Sequence, residues 1–149
     1  MILISHRGNL VGKTPARENS PDYILEALYE GYNVEIDVWY IDDRWMLGHD
    51  EPQYEINASF LKDNRLWCHA KNIEALSMMR REDQIRYFWH QDDDVTLTSD
   101  NYLWVYPGKQ LVDGSICVLP ERTNLTPDML DLRNYRIEGI CSDIISFYM

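Results

Sequence analysis

Glu35 and Asp37 stand two residues apart in Val34-Glu35-Ile36-Asp37-Val38, and a histidine follows in Gly48-His49-Asp50. Alternate side chains of an extended strand share a face, so Val34, Ile36 and Val38 form an apolar row while Glu35, Asp37 and Trp39 occupy the opposite one. Neighbouring carboxylates repel, and burying them requires a cation or hydrogen-bond donors. A hard divalent ion such as Mg²⁺ or Ca²⁺, which prefers oxygen ligands, meets that requirement. A sheet face with two solvated acids fits the same pattern, and this stretch alone leaves both readings open.

Other polar groups sit where apolar runs stop: His6-Arg7 after Met1 to Ser5, His69 and Lys71 around the end of Leu66 to Ala70, and Asp143 after Arg136 to Cys141. The elements that must position them can be read in order. Ser20-Pro21 predicts a capped helix start, with Tyr23, Leu25, Ala27, Leu28 and Tyr29 as its apolar stripe and Gly31 as its stop. A strand over 33–39, a turn at Asp42-Asp43 and a short strand from Trp45 to Leu47 follow. Strand, helix, strand is a βαβ unit, hence a parallel pair. The order repeats more loosely as a strand at 66–70, a helix at 73–81 and a strand at 86–90. Beyond the acidic turn Asp92-Asp93-Asp94 come strand-like runs at 102–106 and 115–119, a helix at 126–132, a last strand at 136–141, and a helical turn at 144–149 closing one end. The pattern predicts an α/β fold: a shortened, partly degenerate (β/α) TIM-type barrel whose middle helices are reduced, because ordinary examples need about 200 residues or more. In such a barrel the strand ends converge on one face, where active sites sit.

A chain of 149 residues, 45% hydrophobic, suffices for a single domain over 1–149 with its own core. The formal charge of -11 opposes broad binding to nucleic acid or to an anionic membrane surface. The start, MILISHRG, reads as neither signal peptide nor membrane anchor, so a soluble cytoplasmic protein is expected. Cys68, Cys117 and Cys141 lack metal-type spacing and read as reduced core residues.

His6-Arg7-Gly8, Glu18-Asn19-Ser20, Glu35-Ile36-Asp37-Val38 and His49-Asp50 with Pro52, in that order and spacing, resemble the glycerophosphodiester phosphodiesterase family of the phosphatidylinositol phospholipase C-like barrels. Gly139 to Asp143 is similar to that family's closing strand. The resemblance implies that His6 and His49 are the acid and base pair, that Arg7 holds a phosphate oxygen, that Glu18 supports the pocket around His6, and that Glu35 and Asp37 bind one divalent cation. Trp104 would correspond to a tryptophan near the site, and Lys71 would join Arg7 in neutralising phosphoryl charge. The implied reaction is metal-assisted hydrolysis of a small phosphodiester through a cyclic phosphate, the substrate's own neighbouring hydroxyl attacking first. Unperturbed imidazoles titrate near neutrality, which suits both proton transfers.

Two departures bear on that expectation. His69-Ala70-Lys71 stands where the family carries Glu-x-Lys, so the third metal ligand would be imidazole, which suits Mn²⁺ or Zn²⁺ better than Mg²⁺ or Ca²⁺. The substrate-covering insertion after the second strand is almost absent, since Glu51 to Lys62 leads quickly onward; a small head group fits better than a lipid. The competing function is a catalytically degenerate barrel that binds a phosphorylated metabolite or a partner without turnover. The exposed flanks of a shortened barrel suggest a homodimer. His90 reads as structural, Asp92 to Asp94 as a surface turn, Lys109 as solvated, and Tyr102, Trp104 and Tyr106 as an aromatic face suited to packing or to stacking a sugar.

Overall fold

A computed structural model describes residues 1–125 and 136–148. Its strands are β1 (Ile2–His6), β2 (Asn33–Ile41), β3 (Arg44–Leu47), β4 (Tyr54–Ile56), β5 (Leu66–Ala70), β6 (Tyr87–Phe88), β7 (Val95–Leu97), β8 (Leu103–Val105), β9 (Ser115–Val118) and β10 (Gly139–Ser142). The helices are α1 (Pro21–Tyr29) and α2 (Ile73–Met79), with 3₁₀ turns at Ala58–Lys62, Pro120–Thr123 and Ile145–Tyr148. The helix expected at 126–132 lies outside the described residues.

Parallel pairing runs in the order β6-β5-β2-β1-β10-β9-β8. The sheet continues antiparallel beyond β2 through β3 and β4, and beyond β8 through β7. It curls so that its two parallel ends meet: the Phe88 and Trp104 rings lie 4.6 Å apart. The Ser99 N–H donates to the Tyr87 carbonyl at 2.8 Å, and the Tyr87 N–H donates to Ser99 Oγ at 2.9 Å. The result is a barrel-like α/β fold with two α-helices among the described residues.

The period of two sorts the side chains onto two faces. Ile4, Trp67, Phe88, Trp104, Ile116, Val118 and Cys141 pack together inside the curl. Their neighbours in sequence point outward. Val34, Ile36, Val38, Cys68 and Ala70 pack beneath Ile24, Ala27 and Leu28 of α1 and Ala75 and Met79 of α2. Full burial of an aliphatic chain such as Ile4 or Ile36 contributes about 1.5–3 kcal/mol. The Ile145–Tyr148 turn joins Leu3, Cys117 and Ile140 on the outer flank, so it covers a side of the sheet instead of closing an end. All three cysteines are buried and free.

The helices start where their caps dictate. Ser20 Oγ accepts the Tyr23 N–H at 3.4 Å, and Pro21 lacks the N–H that a first helical position leaves unpaired. Asn72 caps α2 by accepting the Ala75 N–H at 3.1 Å, and it ties the helix to β2 by exchanging hydrogen bonds with both backbone groups of Tyr40. That clamp fixes the chain just after Lys71.

β4 and β7 escape the sequence pattern. Each is three residues long, and β7 has exposed apolar side chains, Val95 and Leu97, instead of a clear inside and outside. β6 is shorter than the run at 86–90 suggests, and β10 begins at Gly139, not at Arg136. Gly139 suits its place, because a Cβ there would stand 2.5 Å from the Ile2 carbonyl oxygen.

Candidate active site

β10, β1, β2 and β5 are neighbours, and their C-terminal ends carry Asp143, His6, Glu35 with Asp37, and His69 in that spatial order. His6 is paired with Glu35, and Asp37 with His69, in register across the strands. Local alternation therefore aims these groups at one space, and parallel pairing brings them to one level.

His6 is buried, and its Nδ1–H donates to Asp143 Oδ1 at 2.6 Å. A carboxylate can only accept from that nitrogen, so Nδ1 carries the proton of this bond. Nε2 lies 3.8 Å from Glu35 Oε2. Asp143 is braced in turn: Asn9 Nδ2 donates to its side chain at 2.9 Å, and its own N–H donates to Glu121 Oε1 at 2.9 Å. Burial raises the Asp143 carboxyl's pKa, but hydrogen bonds from His6 and Asn9 and the charge of Lys13 outweigh it, and the net shift is downward.

Asp37 is fully buried, and Asn19 holds it from two directions. The Asn19 amide donates to Asp37 Oδ2 at 2.8 Å, and its carbonyl accepts the Asp37 N–H at 2.9 Å. Arg7 Nε lies 3.0 Å from Asp37 Oδ2, an ion-pair distance at which the N–H is not aimed at the oxygen and stays without an aligned acceptor. The other end of the guanidinium reaches Glu18 at 3.4 Å, and Glu18 also accepts from Asn9 at 2.9 Å. Burial pushes the Asp37 carboxyl up, yet His69, Arg7 and Asn19 together hold it far below the usual carboxylate range.

His69 is the third member of this cluster. Its Nε2–H donates to the His90 carbonyl at 2.8 Å, because a carbonyl can only accept, and its ring stacks on Phe88 at 4.9 Å. Those contacts turn Nδ1 toward Glu35 Oε1 at 3.6 Å and Asp37 Oδ1 at 3.4 Å. Burial lowers the imidazole's pKa, but the two carboxylates overcome that and raise it to about 9. Glu35 Oε2 and Asp37 Oδ1 are buried acceptors without a hydrogen-bond partner. Such orphaned acceptors cost about 1–3 kcal/mol each unless something fills the space between them. Among the described residues, Glu35, Asp37 and His69 form a group able to hold a cation, with ligand atoms within 4.8 Å of one another. Two carboxylate oxygens and one imidazole nitrogen fixed by a backbone acceptor fit a Mn²⁺- or Zn²⁺-type ion.

A cleft of about 540 Å³ opens over these groups, lined by His6, Arg7, Glu35, His49, His69 and Lys71, among others. His49 is half exposed at its rim, and its Nδ1 lies 2.8 Å from Asp50 Oδ1. Its turn is anchored from below: the Gly48 N–H donates to the Asp37 carbonyl at 3.1 Å and the Trp39 indole donates to the Gly48 carbonyl at 2.6 Å. Gly48 is required there, because a Cβ would stand 2.0 Å from the Glu51 carbonyl oxygen. Lys71 Nζ is 4.0 Å from Asp37 Oδ1. Trp104 is only 5% exposed and packs on Phe88 and Trp67, so it forms part of the cleft's apolar floor.

Each sequence-predicted site residue thus borders the cleft or, like Asp37 and Glu18, touches a residue that does. Lys109 instead pairs with Asp94 at 3.3 Å and does not line the cleft. His90 lines the cleft while its Nε2–H donates to the Asp93 carbonyl at 2.7 Å. Sequence reasoning missed Asn9, Asn19, Glu121 and Arg122. Asn19 has a left-handed backbone, φ 63°, in the Glu18-Asn19-Ser20 segment, a signal of a special role that only its partner explains. Comparison with known proteins finds no matching family model, no matching curated protein and no matching solved structure. Among the described residues, no helix is long and apolar enough to cross a membrane.

Proposed function

We propose that this chain is a shortened TIM-type barrel that hydrolyses a small glycerol- or polyol-phosphate diester, with His6 and His49 as its proton-transfer pair. The observation that carries this reading is the convergence of both histidines and Glu35 on one cleft, with the unpartnered carboxylate oxygens of Glu35 and Asp37 buried beside it. Asp143 orients His6 so that Nε2 faces the cleft as a proton acceptor, which favours His6 as the base. His6 removes the proton of the substrate's neighbouring hydroxyl as its oxygen bonds to phosphorus. The bond from phosphorus to the leaving alcohol breaks, and His49, in the solvent-facing rim, gives that oxygen a proton. Ring opening runs the same transfers in reverse, with water as the attacking group. Lys71, and Arg7 once turned from Asp37, lie where phosphoryl oxygens need positive charge. Glu35, Asp37 and His69 would hold a divalent ion, whose chemistry when bound is to polarise the phosphoryl group.

Phosphorus NMR of glycerophosphodiesters incubated with the protein and Mg²⁺, Ca²⁺, Mn²⁺ or Zn²⁺ in turn tests the reading. The expected result is release of the alcohol, lost in both His6→Ala and His49→Ala while the circular dichroism is unchanged. Failure of all four metals, or substantial activity retained in both variants, overturns it.

One observation favours a second reading, a barrel that binds a phosphorylated metabolite without turnover. His69 already lies within ion-pair distance of both carboxylates, so the protein carries its own counter-charge where a metal would sit. Calorimetric binding of glycerol phosphate, with no hydrolysis under any of the four metals, selects this alternative.

A further inference from the structure

The whole chain has 14 Lys and Arg against 25 Asp and Glu, yet the cleft reverses that balance. Lys13, Arg7, Lys71 and Arg122 line it together with three histidines of the site, while Glu35 and Asp50 are its lining carboxylates. Arg7 and Lys71 face Asp37. Lys13 and Arg122 make no ion pair or side-chain hydrogen bond among the described residues; Arg80, Arg81 and Arg136 share that condition off the cleft, while Arg17, Arg44, Lys62, Arg65, Arg86 and Lys109 are each paired with an acid. In so acidic a chain, two cations left unpaired on the same cleft need an account.

Their positions give one. Lys71 follows β5. Lys13 lies close enough for its charge to act on Asp143, at the end of β10, and Arg122 adjoins Glu121, which accepts the Asp143 N–H. Lys13 and Arg122 therefore belong to the β10 side of the mouth and Lys71 to the β5 side, with β1 and β2 between them. Three strand steps of about 4.8 Å separate the two poles by roughly 14 Å at the backbone, a gap that long cationic side chains narrow from both sides. One phosphoryl group over His6 and Lys71 leaves the β10 pole unanswered. The cleft volume of about 540 Å³ lies within the range of sites that take whole small molecules.

We infer that the cleft selects a small phosphoester carrying a second anionic group, which Lys13 and Arg122 hold at the β10 rim while the reacting phosphoryl group lies between His6 and Lys71. This rests on the phosphodiesterase reading for the identity of the first group and extends it by naming the substrate class. Lys13 and Arg122 are specificity residues in this scheme and take no part in proton transfer. Both are exposed, so replacing them leaves the core and the His6-Asp143 pair intact.

Calorimetry with the whole protein and three probes tests the inference without requiring turnover: glycerol 3-phosphate, glycerol 1,3-bisphosphate and 3-phosphoglycerate. Two solvent-exposed charge pairs together support about a 10-fold preference for the bisphosphate over the monophosphate. The double variant Lys13→Ala/Arg122→Ala is expected to abolish that preference while leaving glycerol 3-phosphate affinity within about twofold. A preference shared by 3-phosphoglycerate identifies the second group as any anion, and one confined to the bisphosphate identifies it as a phosphate; either supports the inference. Equal affinities for monophosphate and bisphosphate, or a double variant that weakens both alike, overturn it. A bisphosphate preference in a protein that hydrolyses no diester keeps the two-anion site and removes the enzymatic reading, so the two failures are distinguishable.

Discussion

Removing the charge at position 69 should change how the metal-free protein responds to pH. His69 has an ordinary value of 6.5 and is raised to about 9 in the folded chain, against its burial, by Asp37 and Glu35. A raised folded value means that the folded state holds the proton more tightly than the unfolded one. The stabilisation is therefore complete below the unfolded value of 6.5 and disappears as pH climbs through about 9. A difference of about 2.5 units corresponds to about 3 kcal/mol at most, of which about 2 kcal/mol is lost between pH 6 and pH 8. The depressed Asp37 carboxyl describes the same pairing from the other side, so it adds nothing to that sum near neutrality; it removes stability separately in acid. The assay is urea unfolding in the presence of a chelator at pH 6, 7 and 8, comparing the wild type with His69→Gln. The neutral variant should trail the wild type by about 3 kcal/mol at pH 6 and by about 1 kcal/mol at pH 8, after subtraction of contributions common to both. Parallel pH profiles for the two proteins would refute the reasoning, because they would mean that no proton is held between Glu35, Asp37 and His69.

Zn²⁺ or Mn²⁺ at 100 times its dissociation constant should stabilise the wild type by about 2.7 kcal/mol, read as a shift in urea midpoint, and the shift should vanish in Glu35→Gln. Asp143→Asn should leave the chain folded but present His6 with a poorer Nδ1 acceptor, lowering kcat for diester hydrolysis by about 10²- to 10⁴-fold; unchanged turnover would remove His6 from the chemistry. Gly48→Ala should destabilise the fold by about 1–3 kcal/mol and displace the His49 turn, since the added methyl meets the Glu51 carbonyl; a wild-type melting temperature would show that the turn yields without cost. Asn19→Ala should cost about 2 kcal/mol, because two hydrogen bonds to buried Asp37 are lost together, and chemical denaturation measures it.

What the sequence determined by itself is the set of chemical groups and the faces they share. Alternation put Glu35 and Asp37 opposite Val34, Ile36 and Val38, and those two valines and the isoleucine do lie under the helices while Glu35 lines the cleft and Asp37 lies buried beside it. Ser20-Pro21 and Gly31 bounded α1 because caps act through their immediate neighbours. Local rules of this kind reach a few residues along the chain. They do not reach from Asn9 to Asp143, from Asn19 to Asp37, or from His69 to His90. Nor do they mark short edge strands such as β4 and β7, in which three residues contain too little alternation to stand out. Only tertiary pairing decided that β10, β1, β2 and β5 lie side by side, that His69 turns Nδ1 toward two carboxylates, and that Glu121 braces the aspartate behind His6. The physical reason is that a strand's own pattern states which way a side chain points, while its partner's register states what it meets.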